Sequence, residues 1–278
     1  MKPFPLCRSR FRLPFAAGRP WMLTTTLMGT LLGPFWGTLT LPVHAADFAT
    51  IQKRGTLMSA TEGAFAPFNY YKGKSLTGFE VEIVDSLAEV LKLKTSWKTF
   101  PFDSLLIGLN QDRYDLVAAS HADTEERAKA VDFAEPHYCT GGMILTKEGG
   151  PLTGKELAGK TVAVQVGTSY LTHLKKLPGL KEVKTYPKDP DSLQALLSGR
   201  VDAVVTDKFL ALEQAKTRSA DHLKTGELLF SERVSIAVAK GNSTLKTQLN
   251  TALKTILGNG TYRKISEKYF GHDIRCTH

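Results

Sequence analysis

Gly78-Phe79-Glu80-Val81-Glu82-Ile83-Val84-Asp85-Ser86-Leu87-Ala88-Glu89-Val90-Leu91 is the stretch on which the reading of this chain turns. Phe79, Ile83, Val84, Leu87 and Leu91 recur near the 3.6-residue period, which predicts a helix with one buried face. Glu80, Glu82 and Asp85 fall in its first turns, where the helix dipole favours negative charge. Gly78 stands at the turn that feeds it.

On either side the chain alternates short apolar runs with helical periods. Gly55–Ala60 reads as a strand followed by the loop Thr61–Phe68. Thr161–Val166 reads as another, followed by Gly167-Thr168-Ser169 opening a helix. A second amphipathic helix is predicted near Thr244–Leu257, with leucines every fourth residue and Gly258 as its stop. Strands alternating with helices argue for an α/β chain with mostly parallel pairing. An internal echo adds a second level of order. Leu106–Ser120 aligns without gaps to Leu193–Asp207, with Leu, Leu, Arg, Asp and Val shared. Each copy reads as helix, polar turn and apolar strand. The copies end at Ser120 and Asp207, at the strand edge where open α/β sheets bind ligands.

Composition bounds the rest. The 278 residues are 42% hydrophobic and 23% charged, enough for one large or two modest domains. Residues 1–45 read as a secretory signal peptide: a basic start (Lys2, Arg8, Arg10, Arg12, Arg19), an apolar run from Trp21 to Leu41, and a small-residue cleavage site at Val43-His44-Ala45. A membrane anchor is the competing reading, weakened by Pro34 and by the many Thr and Gly. No Cys stands at the cleavage site, so a soluble exported product without a lipid anchor is expected. Taking the five Lys/Arg of 1–45 from 36 leaves 31 basic against 27 acidic residues, a net charge of +4 rather than +9. No basic run remains that would suit nucleic acid. Cys139 and Cys276 remain after export, and the expectation is that both are free thiols. No Cys/His spacing suggests zinc, and no P-loop or nucleophile elbow is present.

At every specified position the Gly78–Leu91 stretch resembles the signature of the family-3 bacterial solute-binding proteins, which capture polar amino acids for ABC importers. The resemblance spans roughly residues 50–271. It includes Val131-Asp-Phe-Ala-Glu-Pro-His-Tyr138, the two Arg-x-Asp strands, Gly258–Ile265 and Lys268-Tyr-Phe-Gly271. It implies a two-lobe periplasmic binding protein fold of type II, the Venus flytrap, with mostly parallel sheets and two crossing hinge strands. Lobe one would hold 46–137 and 233–278, and lobe two 138–232, with crossings near 137–140 and 231–235. The partners implied are a small amino-acid ligand and the permease subunits of an ABC importer. A periplasmic monomer without cofactor or catalytic activity is expected.

A free amino acid carries a carboxylate and an ammonium on one carbon, and a buried site must pair both. Arg suits the carboxylate because its planar fork makes two parallel bonds. The resemblance gives this role to Arg127, with Thr168 and Ser169 beside it, and gives the ammonium to Asp207. On the residues alone, Arg127 also reads as a surface helix residue and Asp207 as a helix cap. Alanine at either position is expected to leave the unliganded fold intact. Phe65 matches the family's aromatic lid and Phe102 an apolar wall. Glu62 matches an acid near the ligand's far end. Ser120, Gln165 and Tyr170 face the cleft. Ala119 and Ala122 replace hydroxyl residues common in members that bind basic amino acids. Phe65, Phe102 and Ala119 look like glutamine-binding members, and Thr61-Glu-Gly-Ala-Phe65 with Gly167-Thr-Ser-Tyr170 looks like cystine-binding ones. Cystine, glutamine and basic amino acids therefore all stay open. The alternative is an exported enzyme on the same fold, similar to cyclohexadienyl dehydratases, for which Glu62 and His121 are the evident proton-transfer candidates.

Overall fold

A computed structural model describes residues 46–276. The signal-peptide segment, its cleavage site and Cys7 lie outside the described residues. Among the described residues no helix is long and apolar enough to cross a membrane.

The Gly78–Leu91 stretch folds as the helix Phe79–Val90. Phe79, Ile83, Val84 and Leu87 are all but inaccessible and form part of the largest apolar cluster, as the period requires. The lead-in can only be glycine. Gly78 holds φ +131°, and a Cβ there would lie 2.2 Å from the Phe68 carbonyl oxygen. That close approach lets Phe79 N and Glu80 N donate to the carbonyls of Pro67 and Phe68, each at 2.9 Å.

Two five-stranded sheets organise the molecule. The first runs in the order Lys94–Thr99, Thr56–Thr61, Leu116–Val117, Ala237–Ala239, Val131–Phe133. The second runs Glu182–Tyr186, Thr161–Gln165, Ala203–Asp207, Tyr138–Lys147, Leu223–Val234. Three strands of each sheet pair in parallel. The expected predominance of parallel pairing stops there: the remaining two ladders of each sheet are antiparallel. The strands that depart from parallel are those nearest the crossings, where the chain enters the second sheet and returns to the first. The two crossings also pair with each other, Tyr138 with Val234, Cys139 with Arg233 and Thr140 with Glu232.

The internal echo is a repeated device. In each copy the helix is closed by a left-handed residue, Asp112 at φ 55° and Gly199 at φ 71°. In each copy the shared Asp then grips one residue of the neighbouring strand twice. Asp115 N donates to Met58 O at 2.8 Å, and its carboxylate accepts Met58 N at 2.7 Å. Asp202 does the same to Thr161, at 2.8 and 2.7 Å.

One expectation is corrected. Cys139 and Cys276 form a disulfide, with Cα atoms 4.8 Å apart across 137 residues of sequence. After the helix Thr261–Phe270 the chain reverses at Gly271. Ser266 Oγ donates to His272 O and accepts from Ile274 N, and Ile274 is buried. The folded-back tail delivers Cys276 to the first crossing, where Cys139 N also donates to Ile274 O at 3.4 Å. Sequence separation carries no information about this proximity.

Closing so long a loop removes about 5 kcal/mol of unfolded-state entropy in the chain-entropy account, of which about 2–5 kcal/mol is commonly realised. Mass mapping of unreduced, denatured protein is expected to find neither Cys139 nor Cys276 alkylated, and reduction to lower the midpoint of thermal unfolding. Alkylation of both without reductant would contradict the tail's placement.

Candidate functional site

A narrow cavity lies between the two sheets, lined by residues of both lobes. Ten of the twelve residues singled out from sequence form its wall: Glu62, Phe65, Phe102, Ala119, Ser120, Arg127, Gln165, Thr168, Ser169 and Tyr170. Ala122 and Asp207 are not among the lining residues.

Arg127 belongs to the short helix Glu125–Ala128, which Thr124 caps through its hydroxyl. The side chain leaves the helix and crosses to the other lobe. Nη1 donates to Ala122 O and Nη2 to Gly167 O, both at 3.0 Å. Ala122 thus contributes a carbonyl that orients the guanidinium. Both hydrogen bonds go to neutral oxygens, and the side chain is half-buried. Burial pushes its pKa down, opposed by the nearby Glu232 and Tyr170. The Phe102 ring lies under the guanidinium at 5.7 Å, and His121 stacks on Phe102 at 4.2 Å with the planes 9° apart.

The opposite wall starts at Gly167. Its φ of +78° is left-handed, and a Cβ would meet Asp103 Cβ at 2.9 Å. Only glycine allows both the turn and the approach of the lobes. Thr168 follows as the N-cap of Ser169–Leu174, accepting from Leu171 N at 3.2 Å and donating to Gln165 O at 2.8 Å. The first N–H groups of such a helix have no intrahelical acceptor, and here they begin beside Arg127. Ser169 Oγ donates to Glu232 Oε2 at 2.6 Å. Burial raises the pKa of Glu232, opposed by Ser169 and Arg127. The sequence reading missed Glu232: it lies in a strand of mixed exposure, and only the pairing of the two crossings brings it to Ser169.

Ser120 is held in a left-handed conformation, φ 56°. Its N–H and hydroxyl both donate to Glu80, at 2.8 and 2.9 Å. Glu62 accepts from Gln165 Nε2 at 2.7 Å, a side-chain bond between the lobes. Burial lifts Glu62 to a pKa of about 7, with Asp189 adding to the rise and Gln165 opposing it. His121 is buried with its Nδ1 unpartnered, and burial holds its pKa well below the usual range. Of the two proton-transfer candidates, Glu62 lines the cavity and His121 packs behind Phe102. No group of three or more His, Cys, Asp or Glu able to hold a metal occurs among the described residues.

Comparison with known proteins identifies the family. The profile of the bacterial extracellular solute-binding proteins, family 3, matches residues 57–272. The L-cystine-binding protein TcyJ of Escherichia coli is 36% identical over 229 residues, 81% of this chain and 86% of the relative. Among solved structures, an ancestral arginine-binding protein bound to glutamine superposes with a TM-score of 0.75 at 38% identity, covering 79% of this chain and 99% of that one. An ancestral amino acid-binding protein described as a precursor of cyclohexadienyl dehydratase gives 0.75 at 30% identity, covering 80% and 98%.

Asp207 is placed differently from the open-ended acid that its strand end suggests. It is wholly inaccessible. Oδ1 accepts from Phe209 N and Leu210 N as the cap of Lys208–Thr217, and Oδ2 accepts from Thr140 Oγ1 at 2.6 Å. Burial raises its pKa to about 7 against these bonds. The expectation that alanine here spares the unliganded fold is therefore revised. Denaturant unfolding is expected to show Asp207→Ala less stable than wild type by about 1–2 kcal/mol, the usual loss on removing a helix cap. Asp207→Asn retains the capping oxygen and should lose less. Equal stability of wild type and Asp207→Ala would show that the cap contributes nothing.

Proposed function

The chain belongs to the bacterial extracellular solute-binding proteins, family 3, and from that premise we propose that it is a periplasmic receptor for a polar L-amino acid, closing around the ligand and presenting it to the permease of an ABC importer. The observation that carries the reading is the Arg127 guanidinium: half-buried at a cavity between two lobes, hydrogen-bonded to two carbonyls, and adjacent to the start of a helix. A cation held this way at a cavity wall suits a carboxylate. The planar fork and the free N–H groups at residues 168–170 together suit an α-carboxylate.

In this account Asp207 takes the α-ammonium. Its Oδ2 accepts from Thr140 and the residue is inaccessible in this structure, so it reaches the ammonium only after local repacking. Phe65 and Phe102 enclose the ligand's side chain and Glu62 meets its end. The relatives named as binding cystine, arginine or glutamine support this ligand class. Export through the N-terminal segment and release as a soluble monomer complete the proposal. The lobes move about the paired crossings, near 137–140 and 231–235, where the chain passes between the sheets. Binding to the closed form shifts the open–closed equilibrium by no more than the difference in affinity for the two forms.

The dehydratase alternative is less well supported. The cavity wall offers one carboxyl group, Glu62, and no histidine, where the paired acid and base of an elimination would both be needed. Incubation with prephenate or arogenate is expected to give no turnover.

Two measurements test the receptor reading. Mass spectrometry of what the purified protein retains, followed by calorimetric titration, is expected to identify an amino acid. Arg127→Ala should then weaken its binding by about 30-fold to several thousand-fold, the cost of about 2–5 kcal/mol for leaving a buried charge unpaired. Binding within about threefold of wild type would remove Arg127 from the site.

A further inference from the structure

The two hydroxyl groups at the start of the helix Ser169–Leu174 have no proton to spare for a ligand. Thr168 Oγ1 donates to Gln165 O at 2.8 Å and accepts from Leu171 N. Ser169 Oγ donates to Glu232 Oε2 at 2.6 Å, a length typical of a hydroxyl bonded to an ionised carboxylate. A carboxylate can only accept, and a hydroxyl has one proton and two lone pairs. Ser169 lines the cavity, so what it has left for a ligand is lone pairs. Glu232 comes from the second crossing, where it pairs with Thr140 of the first. Thr140 Oγ1 in turn donates to Asp207 Oδ2. Each crossing thus sends one side chain to the start of a helix of the second lobe, Ser169–Leu174 or Lys208–Thr217, and each contact sets a hydroxyl against a carboxylate.

We propose that Glu232 is a positioning residue for the ligand: by holding the Ser169 proton, it makes Ser169 an acceptor for the α-ammonium and withholds that hydroxyl from the carboxylate. The proposal deepens the receptor reading and rests on it. The α-carboxylate is then left to Arg127 and to backbone N–H groups, which need no hydroxyl. The α-ammonium meets an oxygen at the cavity wall with a negative charge behind it. That acceptor is in place without the repacking that Asp207 requires. A carboxylic acid lacking the ammonium meets only lone pairs at Ser169, and these repel its oxygens. Glu232 therefore favours amino acids over other carboxylates of the same shape.

The groups facing Glu232 come from both lobes and both crossings. Burial is the largest influence on it and raises its pKa; Ser169, Arg127 and Tyr170 oppose the rise, and Asp123 adds to it. Asp207 and Tyr138 lie within the same field. An ammonium hydrogen-bonded to Ser169 favours the ionised form, so the pKa of Glu232 is higher before binding than after it. Its contribution to affinity is fully present above the ligand-free pKa and is lost as pH falls through the ligand-bound one.

Calorimetric titration with L-arginine, L-glutamine and L-cystine tests this in wild type, Glu232→Gln, Ser169→Ala and the double variant. Glutamine at position 232 keeps an acceptor for the Ser169 hydroxyl and removes the charge. If Glu232 served only to tether the helix start, Glu232→Gln would bind as wild type does. The proposal expects Glu232→Gln to weaken the tightest of the three amino acids about tenfold above neutral pH, the difference between a charged and a neutral hydrogen-bond partner. That difference should close as pH falls through the titration of Glu232, whatever the other acids of the cleft contribute to both proteins. In the Ser169→Ala background the same substitution should cost less than about threefold, because Glu232 then has no hydroxyl through which to act. Binding by Glu232→Gln within about threefold of wild type, or tighter, would overturn the proposal and leave the receptor intact. An equal loss with and without the Ser169 hydroxyl would overturn it as well. If wild type binds none of the three amino acids, the receptor reading fails and the proposal fails with it.

Discussion

A single inaccessible carboxylate, Glu80, ties together the parts on which the cleft depends. Oε1 accepts from Ser120 N and contacts His137 Nε2 at 3.2 Å, and Oε2 accepts from Ser120 Oγ and Asn69 Nδ2. Those four contacts reach Asn69 of the strand Asn69–Lys72, ahead of the main helix, the strand edge at the cavity and the first crossing. Each buried donor left without such a partner costs about 1–3 kcal/mol, so the segments are held as a unit. The bonds from Ser120 keep a non-glycine residue at φ 56° on the cavity wall, a conformation that persists only where its surroundings over-determine it. His137 passes the constraint onward: its carbonyl accepts the Tyr262 hydroxyl at 2.5 Å, next to the disulfide that fastens Cys139 to the tail. The first crossing is therefore anchored on one side by hydrogen bonds and a covalent link. Beyond Cys139, Thr140 and its cross-strand partner Glu232 reach Asp207 and Ser169. Hinge and cavity wall are built from the same few residues.

The two halves of the molecule use one local solution. Asp115 and Asp202 each lock a helix–turn–strand unit to the strand beside it by the same pair of bonds, and each unit ends at the cleft. That repeated geometry brings Ser120 of one lobe to the cavity wall, while Asp207 of the other is buried as the cap of the helix that follows it.

Much of this was legible in the sequence because it depends on local rules. The periodicity of Phe79–Leu87 gave the central helix, Gly78 and Gly167 marked turns that tolerate no Cβ, and the echoed Arg-x-Asp segments gave the paired strand ends. Family resemblance supplied the roles that periodicity cannot, and ten of the residues it named meet in one cavity. What was not legible depends on pairings between distant segments. Glu232 reaches Ser169 only because the crossings pair in a particular register, and Glu62 meets Gln165 only because the lobes approach there. Cys276 meets Cys139 only because the tail reverses at Gly271. Asp207 was readable as both a cap and a ligand group, and the structure shows the capping bonds.

The central claim is that a half-buried guanidinium on one lobe and a helix start on the other together grip an α-carboxylate. A crystal structure of the protein with its tightest amino-acid ligand measures this most directly. The account predicts the α-carboxylate within hydrogen-bonding reach of the Arg127 fork and of the N–H groups at residues 168–170, with the side chain between Phe65 and Phe102. A ligand whose carboxylate lies away from Arg127, with that guanidinium still bonded only to Ala122 and Gly167, would contradict it.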